Sequence, residues 1–324
     1  MRNEASLRFS VIIASQGSRD SLACTLKSLL QLDHPSFEVV VVGDAEALKA
    51  ATRSCGEALR LVRFDDINLS AARNLGIAAA AGDYCAFIDD DAVPDRLWLP
   101  RHQDAILEFG ASASVGYVRG PDGVRFQSRL ESIDCEGESH DEESPDGPAF
   151  VPSLGPGRAV KLIGTNMAIS RDALLRLRGF DPAFRYYLED GDMSLRLMQA
   201  GHSVVAAPSA EVRHAIAPSS RRTSRRVPRT LHDVGRSSAV FVRRHAAGSS
   251  GDIWPRLLER EGRKLKKHMI RGLCEPRDVE RVLATLVAGW KEGLEAPIGE
   301  LPLIDDENNP FHQIVAMTPN RMSH

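Results

Sequence analysis

The run "FEVVVVGD", residues 37–44, constrains the fold more than any other stretch of this chain. Four successive valines are stiff at χ1 and suit an extended strand. With apolar side chains on both faces, such a strand has no side for water. It belongs in a parallel sheet covered above and below. Around it, "RFSVIIAS" reads as a strand and "SRDSLACTLKSLLQL" as a helix, with Ser18 and Asp20 available as caps. "RLVRF" is a third strand, "NLSAARNLGIAAAA" an alanine-rich helix and "YCAFIDDD" a fourth strand. This alternation predicts a doubly wound α/β sheet. Ligands of such sheets bind beyond the carboxyl ends of the strands. Ser15, Asp44, Asp65, Asp66 and the triplet Asp89, Asp90, Asp91 all fall at predicted strand ends. That edge is the candidate site.

A chain of 324 residues with 43% hydrophobic content can bury a full core. The formal charge of -3 gives no overall attraction to nucleic acid, and none is expected as a partner. The five cysteines are scattered and unpaired in spacing, against a disulfide framework or a zinc site. No apolar run reaches bilayer length and no leader-like segment opens the chain, so a cytoplasmic protein is expected. Residues 134–158 are acidic and rich in Pro and Gly, and are expected as a flexible loop within a domain spanning 1–245. Residues 246–324 carry amphipathic pieces expected as a C-terminal helical extension. Its faces would pack on the main domain, join two copies as a homodimer or, through "EGRKLKKHMIRGL", touch the inner face of a membrane peripherally.

Three adjacent carboxylates repel one another unless a cation sits among them. Mg²⁺ or Mn²⁺ takes oxygen ligands and binds a diphosphate alongside one or two protein carboxylates. Asp-rich strand ends are also ordinary turns and helix caps. A second pair, Glu189-Asp190, follows "YYL"; apolar surroundings there would raise a carboxylate pKa and suit a general base, whereas capping is the structural alternative. His214 ends a predicted strand beside Arg213. Downstream, Arg221, Arg222, Arg225, Arg226 and Arg229 form either a phosphate grip or a solvated basic loop.

In this order the features resemble the family 2 glycosyltransferases, inverting enzymes of the GT-A fold. "FSVIIASQGSRDSLACTLKSLLQ", "FEVVVVGDAEA" and "NLSAARNLGIAAAAGDYCAFIDDDAVP" are similar to the family's nucleotide-binding core. "LIGTNMAISRDAL" resembles its sugar-lining segment, and "LEDGDMSLRLMQAGHSV" its acidic motif. The resemblance covers residues 8–245 and implies a GT-A, Rossmann-like, mostly parallel mixed sheet flanked by helices. It further implies a glycosyltransferase in polysaccharide or glycoconjugate synthesis, moving a sugar from a nucleotide-sugar donor, expected as UDP-linked. The acceptor would be carbohydrate, lipid-linked or peptide. Asp44 and Arg73 would lie at base and ribose with Ser15 nearby, and Gly164 and Asn166 would line the sugar. Asp91 would hold Mn²⁺ or Mg²⁺ with Asp89 or His214, while Asp89 or Asp90 meets the ribose. Asp190 would be the base and Glu189 its helper. Two rivals remain: a sugar-phosphate nucleotidyltransferase, whose Gly-rich loop "ASQGSRDS" lacks, and a silent nucleotide-sugar-binding module.

Overall fold

The computed structural model describes residues 6–17, 19–246, 252–306 and 309–314. Among the described residues there are twelve strands: β1 (Phe9–Ser15), β2 (Phe37–Gly43), β3 (Arg60–Arg63), β4 (Tyr84–Phe87), β5 (Ala92–Pro94), β6 (Ala113–Arg119), β7 (Phe126–Ser128), β8 (Glu131–Ile133), β9 (Ser139–Asp141), β10 (Ala159–Val160), β11 (Met167–Ser170) and β12 (Val204–His214). The α-helices are α1 (Arg19–Leu29), α2 (Ala45–Cys55), α3 (Leu69–Ala79), α4 (Trp98–Phe109), α5 (Arg171–Arg176), α6 (Glu189–Gln199), α7 (His232–His245), α8 (Ile253–Ile270) and α9 (Pro276–Glu295). The main sheet runs β3-β2-β1-β4-β11-β6-β12-β5, with β7 on β6. It is parallel through its first four strands, and β11 then enters antiparallel between β4 and β6. This is the mixed, helix-flanked α/β architecture expected.

The valine run behaves as its composition demands. Phe37, Val39 and Val41 join one apolar layer with Leu22 and Leu26 of α1 and Ala47 and Ala51 of α2. Val40 and Val42 point the other way, into a layer with Ala72 and Ile77 of α3. A period of two on a strand with both faces covered explains the unbroken run of valines. Glu38, the charged residue of this strand, is buried and accepts from the Ser10 hydroxyl, the Ala81 N–H and the His312 N–H. Asp20 stands in the first turn of α1, whereas Ser18 lies outside the described residues.

Residues 134–158, expected as a flexible loop, carry more structure than their composition suggests. β9 pairs with β8, and β8 with β10, in a small antiparallel sheet. The acids find arginines: Asp146 pairs with Arg129, Glu142 with Arg158, Glu136 with Arg256 and Glu138 with Arg260. The last two arginines belong to α8, some 120 residues further along the chain.

Helix α7 packs along α9 at very short range. A Cβ on Gly289 would stand 1.9 Å from the His232 carbonyl oxygen, and one on Gly235 2.2 Å from that of Leu286. Only hydrogen fits between these backbones. Arg243 of α7 also donates to the carbonyls of Gly293 and Ala296. Beyond α9 the chain returns to the main sheet. Arg171 pairs with Asp306, His312 N–H donates to Glu38, and Ile314 N–H to the Phe37 carbonyl. We predict that Gly289→Ala, which must push the α7 and α9 backbones apart, lowers stability by about 1–3 kcal/mol in thermal unfolding. An unchanged midpoint would contradict this close approach.

Candidate active site

β4 ends at Phe87, and the chain turns through Asp89, Asp90 and Asp91 into β5. β5 pairs antiparallel with β12 in a register that sets Ala92 opposite His214. Two strands distant in sequence thereby bring the triplet and the histidine together. His214 Nε2 lies 3.0 Å from Asp91 Oδ1 and 3.7 Å from Asp89 Oδ2. Just past β12, the Ala217 N–H donates to Asp91 Oδ2 at 2.6 Å, through a turn in which Ile216 takes φ +55°. A β-branched residue in that region is strained, and here the strain wraps the backbone around a carboxylate. Burial works against charge on both Asp91 and His214, yet each stabilises the other's ionised form. The Asp91 pKa falls below, and that of His214 rises above, its ordinary value. Donor atoms of Asp89, Asp91 and His214 all lie within 4.8 Å of one another. Two carboxylates with one imidazole fit Mn²⁺ well, and Mg²⁺, which favours oxygen, less well.

Asp90 turns away from this trio, accepting the Ser15 hydroxyl at 2.6 Å. Burial, with the charges of Asp89 and Asp91, pushes its carboxyl up to about 7.

Arg73 of α3 lies 4% exposed beneath the cleft. Its Nη1 donates to Glu189 Oε1 at 3.0 Å, and its Nη2 to the Gly164 carbonyl at 3.2 Å and stands 4.0 Å from Asp89 Oδ1. Its guanidinium also faces the Phe180 ring, 5.2 Å from the centroid. Gly164 in turn donates its N–H to Asp190 Oδ2 at 3.2 Å. The segment reaches this place because β11 runs antiparallel to β4. Met167 opposes Phe87, so the residues just before β11 lie beside those just after β4. Asp89 N–H accordingly donates to Thr165 Oγ1 at 3.2 Å.

Glu189 and Asp190 open α6. The two residues before them, Tyr187 and Leu188, take φ +75° and +67°. Two consecutive non-glycine residues in the left-handed region are costly and need support. Leu188 is buried with Phe184, Ile133 and Phe241, and Ser237 of α7 donates its hydroxyl to the Tyr186 carbonyl. Glu189 is buried, and among the described residues its Oε2 has no hydrogen-bond partner. Burial first, then the neighbouring Asp190 charge, raises its pKa well above the glutamate range, with Arg73 opposing. The apolar approach of "YYL" thus bears on Glu189.

Ser15, Arg73, Asp89, Asp90, Asp91, Gly164, Glu189, Asp190 and His214 all line one cleft of about 690 Å³. Two expected site residues do not. Asn166 is fully buried in the wall: its Oδ1 accepts from Trp98 Nε1 and His102 Nε2, and its Nδ2 donates to the carbonyls of Tyr117 and Ala210. With every polar site engaged it binds protein, not sugar. Asp44 caps α2, its Oδ1 accepting from Ala47 N–H at 2.8 Å, while the neighbouring Gly43 lines the cleft. Of the downstream arginines, Arg221 and Arg222 line the cleft, and Arg225, Arg226 and Arg229 do not. Lys161 was not expected on the cleft, which it lines while held by Glu131 at 2.6 Å. Its one local signal is a lysine three residues before the Gly-Thr of "LIGTN". Tyr186 was not expected either; it forms a wall under the Arg221 guanidinium, which stands 4.1 Å from its ring centroid.

A Cβ on Gly164 would stand 2.4 Å from Arg73 Nη2. Gly164→Ala should push the guanidinium from its carboxylates and cost about 1–3 kcal/mol in thermal unfolding. A wild-type midpoint would mean that Arg73 has room to move.

The family described as Glycosyl transferase family 2 matches residues 10–178, and one described as Glycosyl transferase family group 2 matches 147–246. The pre-mycofactocin glycosyltransferase of Mycobacterium tuberculosis is 31% identical over 151 residues, 45% of this chain and 29% of that protein. The succinoglycan biosynthesis protein ExoM of Rhizobium meliloti is 36% identical over 121 residues, 33% of this chain and 39% of the relative. The N-acetylglucosaminyl-diphospho-decaprenol L-rhamnosyltransferase of Mycobacterium tuberculosis is 30% identical over 177 residues, 48% and 56% of the two chains. The chain thus spans less than two thirds of each of these relatives. In structure it is similar to the mannosyltransferase PcManGT of Pyrobaculum calidifontis, solved with GDP-Man and Mn²⁺. The TM-score is 0.52 at 15% identity, over 90% of this chain and 88% of that one, a likeness of fold. With more than half its length matched by the first of these families, the chain belongs to glycosyl transferase family 2.

Proposed function

We propose that this chain transfers a sugar from a nucleoside-diphosphate donor to an acceptor hydroxyl, with inversion at the anomeric carbon. One observation carries the reading. The Asp89, Asp91, His214 trio and the Asp190 carboxylate line the same cleft and are linked through Arg73 and Gly164. A silent binding module has no need of a carboxylate so placed.

A divalent cation held by Asp89, Asp91 and His214 would neutralise charge developing on the departing diphosphate. Arg221 and Arg222, on the cleft wall, present guanidinium groups to the same phosphates. Asp90, steadied by Ser15, is left for the ribose hydroxyls. Val42, Gly43 and Phe64 line the cleft near Ser15, together with the polar side chains of Gln16 and Asn68. Uridine diphosphate, which the family resemblance suggests, is to be tested against guanosine diphosphate. Asp190 takes the proton of the acceptor hydroxyl. That oxygen forms its bond to the anomeric carbon as the bond to the phosphate oxygen breaks, and the electron pair leaves with the diphosphate. Attack from the face opposite the leaving group inverts the centre. Glu189, held by Arg73, orients the base-bearing turn. The acceptor is a hydroxyl of a carbohydrate, a lipid-linked saccharide or a peptide.

Asp190→Asn should bind Mn²⁺ and nucleoside diphosphate as the wild type does, while turnover of UDP- or GDP-sugars falls about 10²–10⁴-fold. Near-normal turnover would remove Asp190 as the base. In calorimetry, Asp91→Ala should lose the Mn²⁺-dependent part of nucleoside diphosphate affinity. Affinity unchanged, with or without metal, would overturn the cation site.

A further inference from the structure

Helix α8 carries a stripe of cations, Arg256, Arg260, Arg263 and Lys267, three or four residues apart and therefore along one face, and Arg271 continues it at the helix C-cap. The two nearest its start are satisfied within the molecule, by Glu136 and Glu138 of the β8–β9 hairpin. Arg263 stands 3.7 Å from Glu259 of its own helix, both well exposed. Past this point the stripe opens to solvent. Lys267 and Arg271 are exposed, as is Lys266 beside them, and among the described residues no carboxylate pairs with any of the three. Nearby acids are largely engaged: Glu275 and Asp278 cap α9 and pair with Arg277 and Arg281, and Glu280 stands exposed on α9. From 263 to 281 the sequence has seven lysines and arginines against three acids, +4 in a chain of formal charge -3. In the midst of the unpaired cations Ile270 projects, 81% exposed.

We propose that this end of α8 is a binding face for an anionic phospholipid surface. Lysine and arginine would meet headgroup phosphates, and Ile270 would enter the layer between them. Cations alone would suit any acidic partner. The apolar side chain standing outward at their centre favours a plane that can receive a projection, because water gives it nothing. The same helix leads to the cleft. Arg260 lies about 16 Å along the axis from Arg271 at 1.5 Å per residue. It pairs with Glu138, and the adjoining Ser139 lines the cleft. A lipid-linked acceptor would then be offered beside the wall that carries the β8–β9 hairpin, a consequence that rests on the glycosyltransferase reading. The binding itself does not.

Flotation of the full chain with vesicles tests this. Phosphatidylcholine alone should leave the protein unbound, and vesicles with about 30% phosphatidylglycerol should carry it at low salt and release it at about 0.5 M salt. The combined Lys266→Glu, Lys267→Glu, Arg271→Glu variant changes only exposed side chains. It should keep wild-type thermal unfolding and lose at least about tenfold in bound fraction. Ile270→Ser should lose several-fold. Asp91→Ala should float as the wild type does, which separates this face from the cation site. The proposal is overturned if the wild type stays off anionic vesicles, or if the triple variant floats equally well. It is also overturned if light scattering shows a dimer that the triple variant dissolves while vesicles bind neither. A second copy would then cover the face.

Discussion

A single buried cation holds the two halves of the cleft in register. Arg73 donates to Glu189 at the head of α6 and to the Gly164 carbonyl, and stands 4.0 Å from Asp89 at the end of β4. A guanidinium suits this place because its planar fork can serve several acceptors at fixed angles, which an ammonium cannot. Its burial also makes it demanding. Taking one partner away from a buried ion pair leaves an uncompensated charge, at a cost of about 3–5 kcal/mol. Gly164 leaves room for it: a Cβ there would stand 2.4 Å from Arg73 Nη2, and the guanidinium would have to shift.

Around that contact, the fold supplies placement from several directions. The continuous valine strand is covered by helices on both sides and anchors the sheet whose carboxyl edge opens into the cleft. The reversal of β11 brings the Gly164 turn beside the triplet, and the β5–β12 pair brings His214 there. Strained backbone occurs at two of these points, Ile216 behind Asp91 and the Tyr187–Leu188 pair ahead of Glu189. Both are held by what surrounds them. Ala215 and Ala217 donate to Asp91 on one side, and Leu188 packs against Phe184 and Phe241 on the other. The C-terminal helices thus contribute to the acid motif through α7, besides pairing with the β8–β9 hairpin through α8.

Much of this was legible in the sequence, for reasons that differ by residue. The α/β alternation follows from local periodicity, whereas the acidic triplet, Glu189-Asp190 and His214 are each ambiguous alone and take their meaning from their order along the chain. What the sequence left open depends on direction and on partners far along the chain. Asn166 and Gly164 stand two residues apart, yet Gly164 faces the cleft while Asn166 turns inward to Trp98 and His102. Asp44 ends a strand as a nucleotide-binding residue would, and its carboxylate is engaged in capping α2. Arg73 was expected at base and ribose. It lines the cleft, and what local sequence did not reveal is its partner there, Glu189, 116 positions later. Residues 134–158 were expected as a flexible loop, and the α8 arginines that pair with Glu136 and Glu138 are equally remote in sequence.

The contact between Arg73 and Glu189 is open to direct measurement by a double-mutant cycle in thermal or denaturant unfolding, with Arg73→Gln, Glu189→Gln and the pair. If Arg73 joins the two halves as described, Arg73→Gln is destabilised because Glu189 and the Gly164 carbonyl lose their common donor. The double variant then recovers much of that loss, with a coupling of about 1–3 kcal/mol. Losses that add to within about 0.5 kcal/mol would show that the two side chains do not depend on each other, and would contradict the account.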